Sequence, residues 1–200
     1  VDFVTIQNRV LSDRFDESKR AAAKDWINYR YGRLWAAEDW TFKLQQTDLV
    51  AAYGSNNVSL GTIGDIVAIS YAPYTSFTQL KAVRPEEFYP ISSTTNGVPS
   101  AYSIIGDKIY FDTPQDVQRT FKVVSEKAFA LLSADGDIPA FPSEWHYVLV
   151  HGAAAEGLVQ ENDPSGELFE TKYKEGLDDM KAEFLSSGTF MGAYPSWPIP

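Results

Sequence analysis

The sequence predicts an α+β chain: helices from its two ends form a small bundle, and an antiparallel β-domain is inserted between them. Three observations carry this. Apolar residues recur at helical spacing near both ends. Between them the pattern changes to short runs rich in β-branched and aromatic residues, separated by Gly, Asn and Pro turns. Finally, the 200 residues are 44% apolar and 14% aromatic, which is enough material for a packed core. The expected boundaries are residues 1–40 and 141–187 for the bundle, 41–140 for the β-domain and 188–200 for an extended tail.

Taken in order, Thr5 to about Asp13 reads as a short helix with Phe3, Ile6 and Val10 at helical spacing. Asp16 is placed to cap the helix of "ESKRAAAKDWINYRYGRLWAAEDW", about six turns long, with Ala23, Trp26, Ile27, Leu34 and Ala37 on one stripe. "TFKLQQTDLVAAYG", "VSLG" and "DIVAISYA" follow as strands. "FTQLKAVR" reads as one strand ending at Arg84, because Pro85 lacks a backbone donor and biases its predecessor toward extended geometry. "PEEF" is a single helical turn. "AYSIIGDKIYFDTP" is a hairpin in which Gly106 supplies positive φ, and "RTFKVVSEKAFAL" gives one more strand. Short turns throughout predict antiparallel pairing.

Helical spacing returns after Phe141. Pro142 suits a first helical position, Ser143 a cap, and Trp145, Val148, Leu149, Ala155 and Leu158 an apolar side reaching to about Gln160. Asp163-Pro164 starts the last helix, with Phe169, Tyr173, Leu177, Met180 and Phe184 on one stripe and Gly188 as a stop. Neither helix pair buries its stripe alone, so the two ends are expected to pack together. "TFMGAYPSWPIP" holds too much proline for regular structure, yet it is too aromatic for a disordered tail.

Chemistry is sparse. The chain has no cysteine, which removes thiol catalysis and cysteine–zinc sites. Its two histidines, His146 and His151, are five residues apart and so point about 140° from one another on a helix, the wrong spacing for one ion. Both read as structural. Glu38-Asp39, Glu86-Glu87 and Asp178-Asp179 are adjacent pairs whose side chains do not converge. Gly61-Thr-Ile-Gly64 lacks the lysine of a phosphate loop. Tyr29, Tyr31 and Trp35 beside Arg30 and Arg33 read as helical core and interface. A net charge of −10 argues against gripping DNA or an anionic membrane. There is no signal-peptide pattern, and no apolar run approaches the ~20 residues of a membrane span.

The order of "LWAAEDWTF", "AVRPEEFYPI", "GVPSAYSIIGDKIYFDTPQD", "IPAFPSEWHYVLVHGAAAEGL" and "LFETKYKEGLDDMKAEF" resembles the head–tail adaptor proteins of tailed bacteriophages, also called head-completion or connector proteins. The resemblance spans nearly residues 1 to 187; the stretch after Gly188 has no counterpart in the pattern. It implies a structural virion protein, not an enzyme, with no cofactor. The resemblance further implies a self-associated ring, usually twelvefold, below the portal protein, with a tail or neck protein as the next partner. Genomic DNA would pass through without specific binding. Phe190, Met191, Tyr194, Trp197 and Ile199 of the tail are the expected partner interface. Two rival readings stand beside it: a virion-associated cell-wall hydrolase, which needs converging carboxylates, and a soluble binding module that uses the β-domain.

Overall fold

The computed structural model describes residues 1–12, 14–61, 63–71, 78–89 and 92–185. Helices lie toward both ends and strands in the middle, an α+β arrangement. The chain divides into two compact units, one of Val1–Lys43 with the residues from Phe129 onward, the other of Leu44–Ala128.

In the helical unit, α1 (Phe3–Leu11) begins earlier than Thr5 because the Asp2 carboxylate accepts the Thr5 N–H at 3.1 Å. Asp16 accepts the Ser18 N–H at 2.8 Å, capping a 3-10 turn (Glu17–Lys19) that runs into α2 (Arg20–Ala37). A second 3-10 turn, Ser143–Trp145, leads into α4 (His146–Gln160). Pro142, with extended backbone, takes the cap place expected of Ser143, and no side chain caps this turn. Asp163 then accepts from the Ser165 N–H at 2.8 Å and Oγ at 2.6 Å ahead of α5 (Gly166–Phe184).

Helix α4 is the centre of this unit. It is buried on nearly every side, not along one stripe, and it packs against α1, α2 and α5. Its small residues permit the close approach. A Cβ added to Gly152 would lie 2.8 Å from Tyr173 Cδ2, and one added to Gly157 would lie 2.5 Å from Trp26 Cζ3. The core joins Phe3, Ile6 and Val10 to Trp26, Ile27, Leu34, Val148, Leu149 and Met180, so both chain ends contribute. On α2 the stripe runs through Tyr31, while Ala37 is exposed.

Residues 129–140 stay with the helices, which moves the boundary from the expected residue 141 to Phe129. Their bonds give the reason. Asn28 holds Leu132 twice, accepting its N–H and donating to its carbonyl, both at 2.9 Å. The Ala140 N–H donates to Tyr31 Oη at 2.9 Å. Phe3 and Val4 N–H groups donate to Asp137 and Asp135 carbonyls at 2.8 and 3.0 Å. Phe129 packs on Tyr31 and Trp35, with ring centroids 5.0 and 5.8 Å away. A connection bonded this way costs the helices nothing to carry, because its buried polar groups are paired.

The other unit holds β1 (Leu44–Ala51), β2 (Asn57–Ser59), β3 (Ile66–Tyr71), β4 (Thr78–Gln79), β5 (Lys81–Ala82), the turn α3 (Pro85–Phe88), β6 (Ala101–Ile105), β7 (Lys108–Phe111) and β8 (Arg119–Glu126). These form two four-stranded sheets, ordered β1-β8-β3-β4 and β2-β7-β6-β5. β1 pairs with β8 over its whole length, from Leu44 opposite Glu126 to Ala51 opposite Arg119. The β6–β7 hairpin turns at Gly106 with φ of 65°, the conformation that the Gly-Asp turn requires. The expected single strand of "FTQLKAVR" is two short ones, β4 in one sheet and β5 in the other, with buried Leu80 between them. β5 and β6 run parallel, against the antiparallel expectation. The link between them, residues 83–100, carries α3 and is long enough for a crossover, which the count of short turns overlooked. Both sheets feed one core of Ile69, Tyr71, Tyr102, Ile109, Phe111, Phe121 and Val123.

Candidate interaction surfaces

The five tail residues expected to meet a partner, Phe190, Met191, Tyr194, Trp197 and Ile199, lie outside the described residues, as does Gly188. The described chain ends on the last turn of α5, where Phe184 meets Phe42 edge-on at 5.3 Å and Trp145 at 6.3 Å. The point from which the tail departs is therefore an aromatic cluster, itself part of the helical core's rim.

The two histidines take separate surroundings, as their spacing predicts. His146 is buried between two main-chain carbonyls, Nδ1 3.0 Å from Val1 O and Nε2 3.0 Å from Phe141 O. Its ring also stands edge-on to Phe141 at 4.9 Å. His151 faces Tyr147 and Phe169 along the α4–α5 seam, at 5.6 and 6.1 Å. Burial holds both rings below the ordinary histidine value of 6.5; for His146 it outweighs the two carbonyls, which favour the charged ring, and for His151 nearby Lys172 adds to it.

That direction sets a pH dependence. An unfolded chain takes up these protons first as pH falls through about 6.5, so the stability of the helical unit is whole above that pH and drops below it. The urea midpoint is expected to fall between about pH 7.5 and about pH 5.5, before carboxylates near pH 4 take part. A midpoint that is flat across that interval would mean both rings take up protons in the fold as readily as in the unfolded chain.

Each carboxylate pair lies on its own element. Glu86 and Glu87 are exposed on α3, Asp178 and Asp179 on α5, and Glu38 at the end of α2 meets Lys181 at 3.0 Å. Among the described residues, no group of three or more His, Cys, Asp or Glu is placed to hold a metal ion. None of their helices is long and apolar enough to cross a membrane.

The aromatic-basic stretch of α2 is divided between core and surface. Tyr31 is buried and Trp35 is half-buried, while Tyr29 is exposed and accepts a hydrogen bond from Arg33 Nη1 at 3.1 Å. Arg30 is occupied within the unit, 3.1 Å from Glu156 and 2.9 Å from Glu170, with Tyr173 beneath it at 5.1 Å. Only Tyr29 and Arg33 of this group remain available to a partner. Negative charge is concentrated elsewhere: residues 129–200 hold twelve Asp and Glu against three Lys and Arg. On α5, Glu167, Glu175, Asp178, Asp179 and Glu183 all face water.

Sequence reading missed the exposed apolar residues of the β unit, among them Tyr53, Val98 and Val117. They sit singly in turn-rich segments, where no periodicity marks them.

No curated protein matches the chain significantly. The model of the SU10 adaptor protein family matches residues 2–191, which takes in both units and the first part of the tail, and stops short of Tyr194, Trp197 and Ile199. With helices before and after a β insert in the sequence, and a family match that runs through all three segments, the chain belongs to the SU10 adaptor family of phage structural proteins.

Proposed function

We propose that the protein is one subunit of a ring in the neck of a tailed-phage virion, docked below the portal, joining capsid to tail and enclosing the DNA passage. The observation that carries this is the match to a phage adaptor family over 190 of the 200 residues. The physical character of the chain supports it. A ring subunit needs two different contact faces that close by rotation, and aromatic side chains supply contact area at low entropic cost. Twelvefold closure is the expected number. Net charge of −10, most of it carried by the C-terminal helices and loops, suits a wall past which a polyanion moves without adhering.

The portal contact is assigned to residues 189–200. Phe190, Met191, Tyr194, Trp197 and Ile199 give this stretch five large apolar side chains in ten positions, among the prolines 195, 198 and 200. A chain lacking 189–200 is expected to fold as before and to lose attachment to purified portal, seen by negative-stain imaging of the mixture. Attachment at the full-length level would reject the assignment.

A further inference from the structure

On α2, Tyr29 and Arg33 stand one turn apart and hold each other. The Arg33 Nη1 donates to Tyr29 Oη at 3.1 Å, and the guanidinium carbon lies 5.8 Å from the centre of the ring. Both side chains are exposed. The other three cations of this helix are spoken for: Arg20 meets Glu17 at 2.6 Å, Lys24 meets Asp135 at 3.3 Å, and Arg30 meets Glu170 at 2.9 Å. Glu170 acts on Arg33 only at longer range, and Arg33 has no carboxylate within 4 Å among the described residues. One of its five N–H donors is used on Tyr29, which leaves a planar fork of the kind that fits a carboxylate. The ring already fixes the fork, so binding costs it little further freedom.

The same unit carries the opposite surplus on α5. Glu175, Asp179 and Glu183 follow at intervals of four, which sets them on one face, and all three are exposed. Like charges at that spacing repel. The three lysines of the helix do not relieve them: Lys174 pairs with Glu170, Lys181 with Glu38, and Lys172 lies over the Phe169 ring. Asp179 is nine residues on from Glu170, about two and a half turns, so the two point to opposite sides of α5. Glu170 is on the side that Arg30 of α2 reaches. The acidic stripe is therefore turned away from α2, and one molecule cannot bring it to its own Arg33.

Two molecules can. A free guanidinium beside an exposed tyrosine, the residue types that anchor interfaces most often, faces one way; a row of unpaired carboxylates faces another. A polyanion such as DNA is a poor match for the first, because its binding grows with the number of cations offered and this face has one free fork on a chain of net −10. A symmetric contact, each face against its own copy, sets like charge against like. Only a head-to-tail contact satisfies both faces, and such a contact repeats from copy to copy until rotation closes it.

We infer that the Tyr29–Arg33 fork of one copy of this chain binds the Glu175, Asp179 and Glu183 stripe of the next, head to tail. This rests on the ring reading above and names the faces that meet in it. Because the chain has no cysteine, a pair can be introduced without background. Ala36 and Ala182 are exposed, each three residues past a contact residue, so Ala36→Cys and Ala182→Cys flank the two faces and remove neither. Mild oxidation of the full-length double-cysteine chain is expected to give a ladder of linked multimers on a non-reducing gel, and each single variant no more than a trace of dimer. Arg33→Glu in the double-cysteine chain should cut the ladder about tenfold or more, since like charges then meet. Adding Asp179→Lys and Glu183→Lys should bring it back. The absence of a ladder overturns the inference. So does a single variant that dimerises as fully as the double one, because a face then meets itself, and so does a ladder indifferent to Arg33→Glu. Should Arg33→Glu lower the unfolding midpoint, Arg33→Gln, which removes the charge alone, gives the same readings. Virions of the encoding phage that lack the chain by immunoblot overturn the adaptor reading, whatever the ladder shows.

Discussion

Phe121→Ala is expected to remove most of the stability of the β unit. The Phe121 ring is fully buried, stacks on Phe111 of the facing sheet at 4.3 Å and 19°, and meets Tyr71 at 5.9 Å. Truncating a buried Phe leaves a cavity that costs about 3–5 kcal/mol, to which the lost aromatic pairing contributes. A unit the size of Leu44–Ala128 has, at ordinary stability per residue, roughly 4–13 kcal/mol to lose. The two units can be followed separately, because all five tryptophans lie outside residues 44–128. Far-UV circular dichroism is expected to show a new transition at low urea, with tryptophan fluorescence unmoved. Equal shifts in both signals would mean the units unfold as one.

Gly157→Val is the second large effect, and it falls on the other unit. The first added carbon alone would stand 2.5 Å from Trp26 Cζ3 and 2.7 Å from Phe15 Cζ. Trp26 cannot retreat freely, since its Nε1 donates to Gln160 Oε1 at 2.9 Å on the same helix. Removing a helical glycine gains at most about 1 kcal/mol of backbone entropy. Overpacking a packed contact costs about 1–3 kcal/mol, and with two rings under 3 Å the upper end applies, so destabilisation wins. Tryptophan fluorescence should report a clear loss in midpoint. Gly136→Val is the control: nothing lies within 4 Å of a Cβ there, and the change should stay within about 0.5 kcal/mol.

Much of the fold was legible because local signals and packing agree. Asp2 and Asp16 cap, Pro85 opens a one-turn helix, and Gly106 turns a hairpin, each through chemistry contained within a few residues. What the sequence hid depends on distant partners. Helix α4 looks one-sided until its alanines and glycines are seen to face a neighbour on every side. Residues 129–140 look like the end of the β-domain; only the Asn28 and Tyr31 side chains, about a hundred positions away, tie them to the helices. The parallel β5–β6 pair hides in the same way behind a link whose length, not its composition, matters. The proposed tail contact rests on its aromatic composition alone, which the sequence displays without any fold.

The pairing of Leu44 with Glu126 means that the chain enters and leaves the β unit at neighbouring points. Genetic exchange with crossovers at those two points replaces that whole unit, and leaves the bundle's own sequence intact.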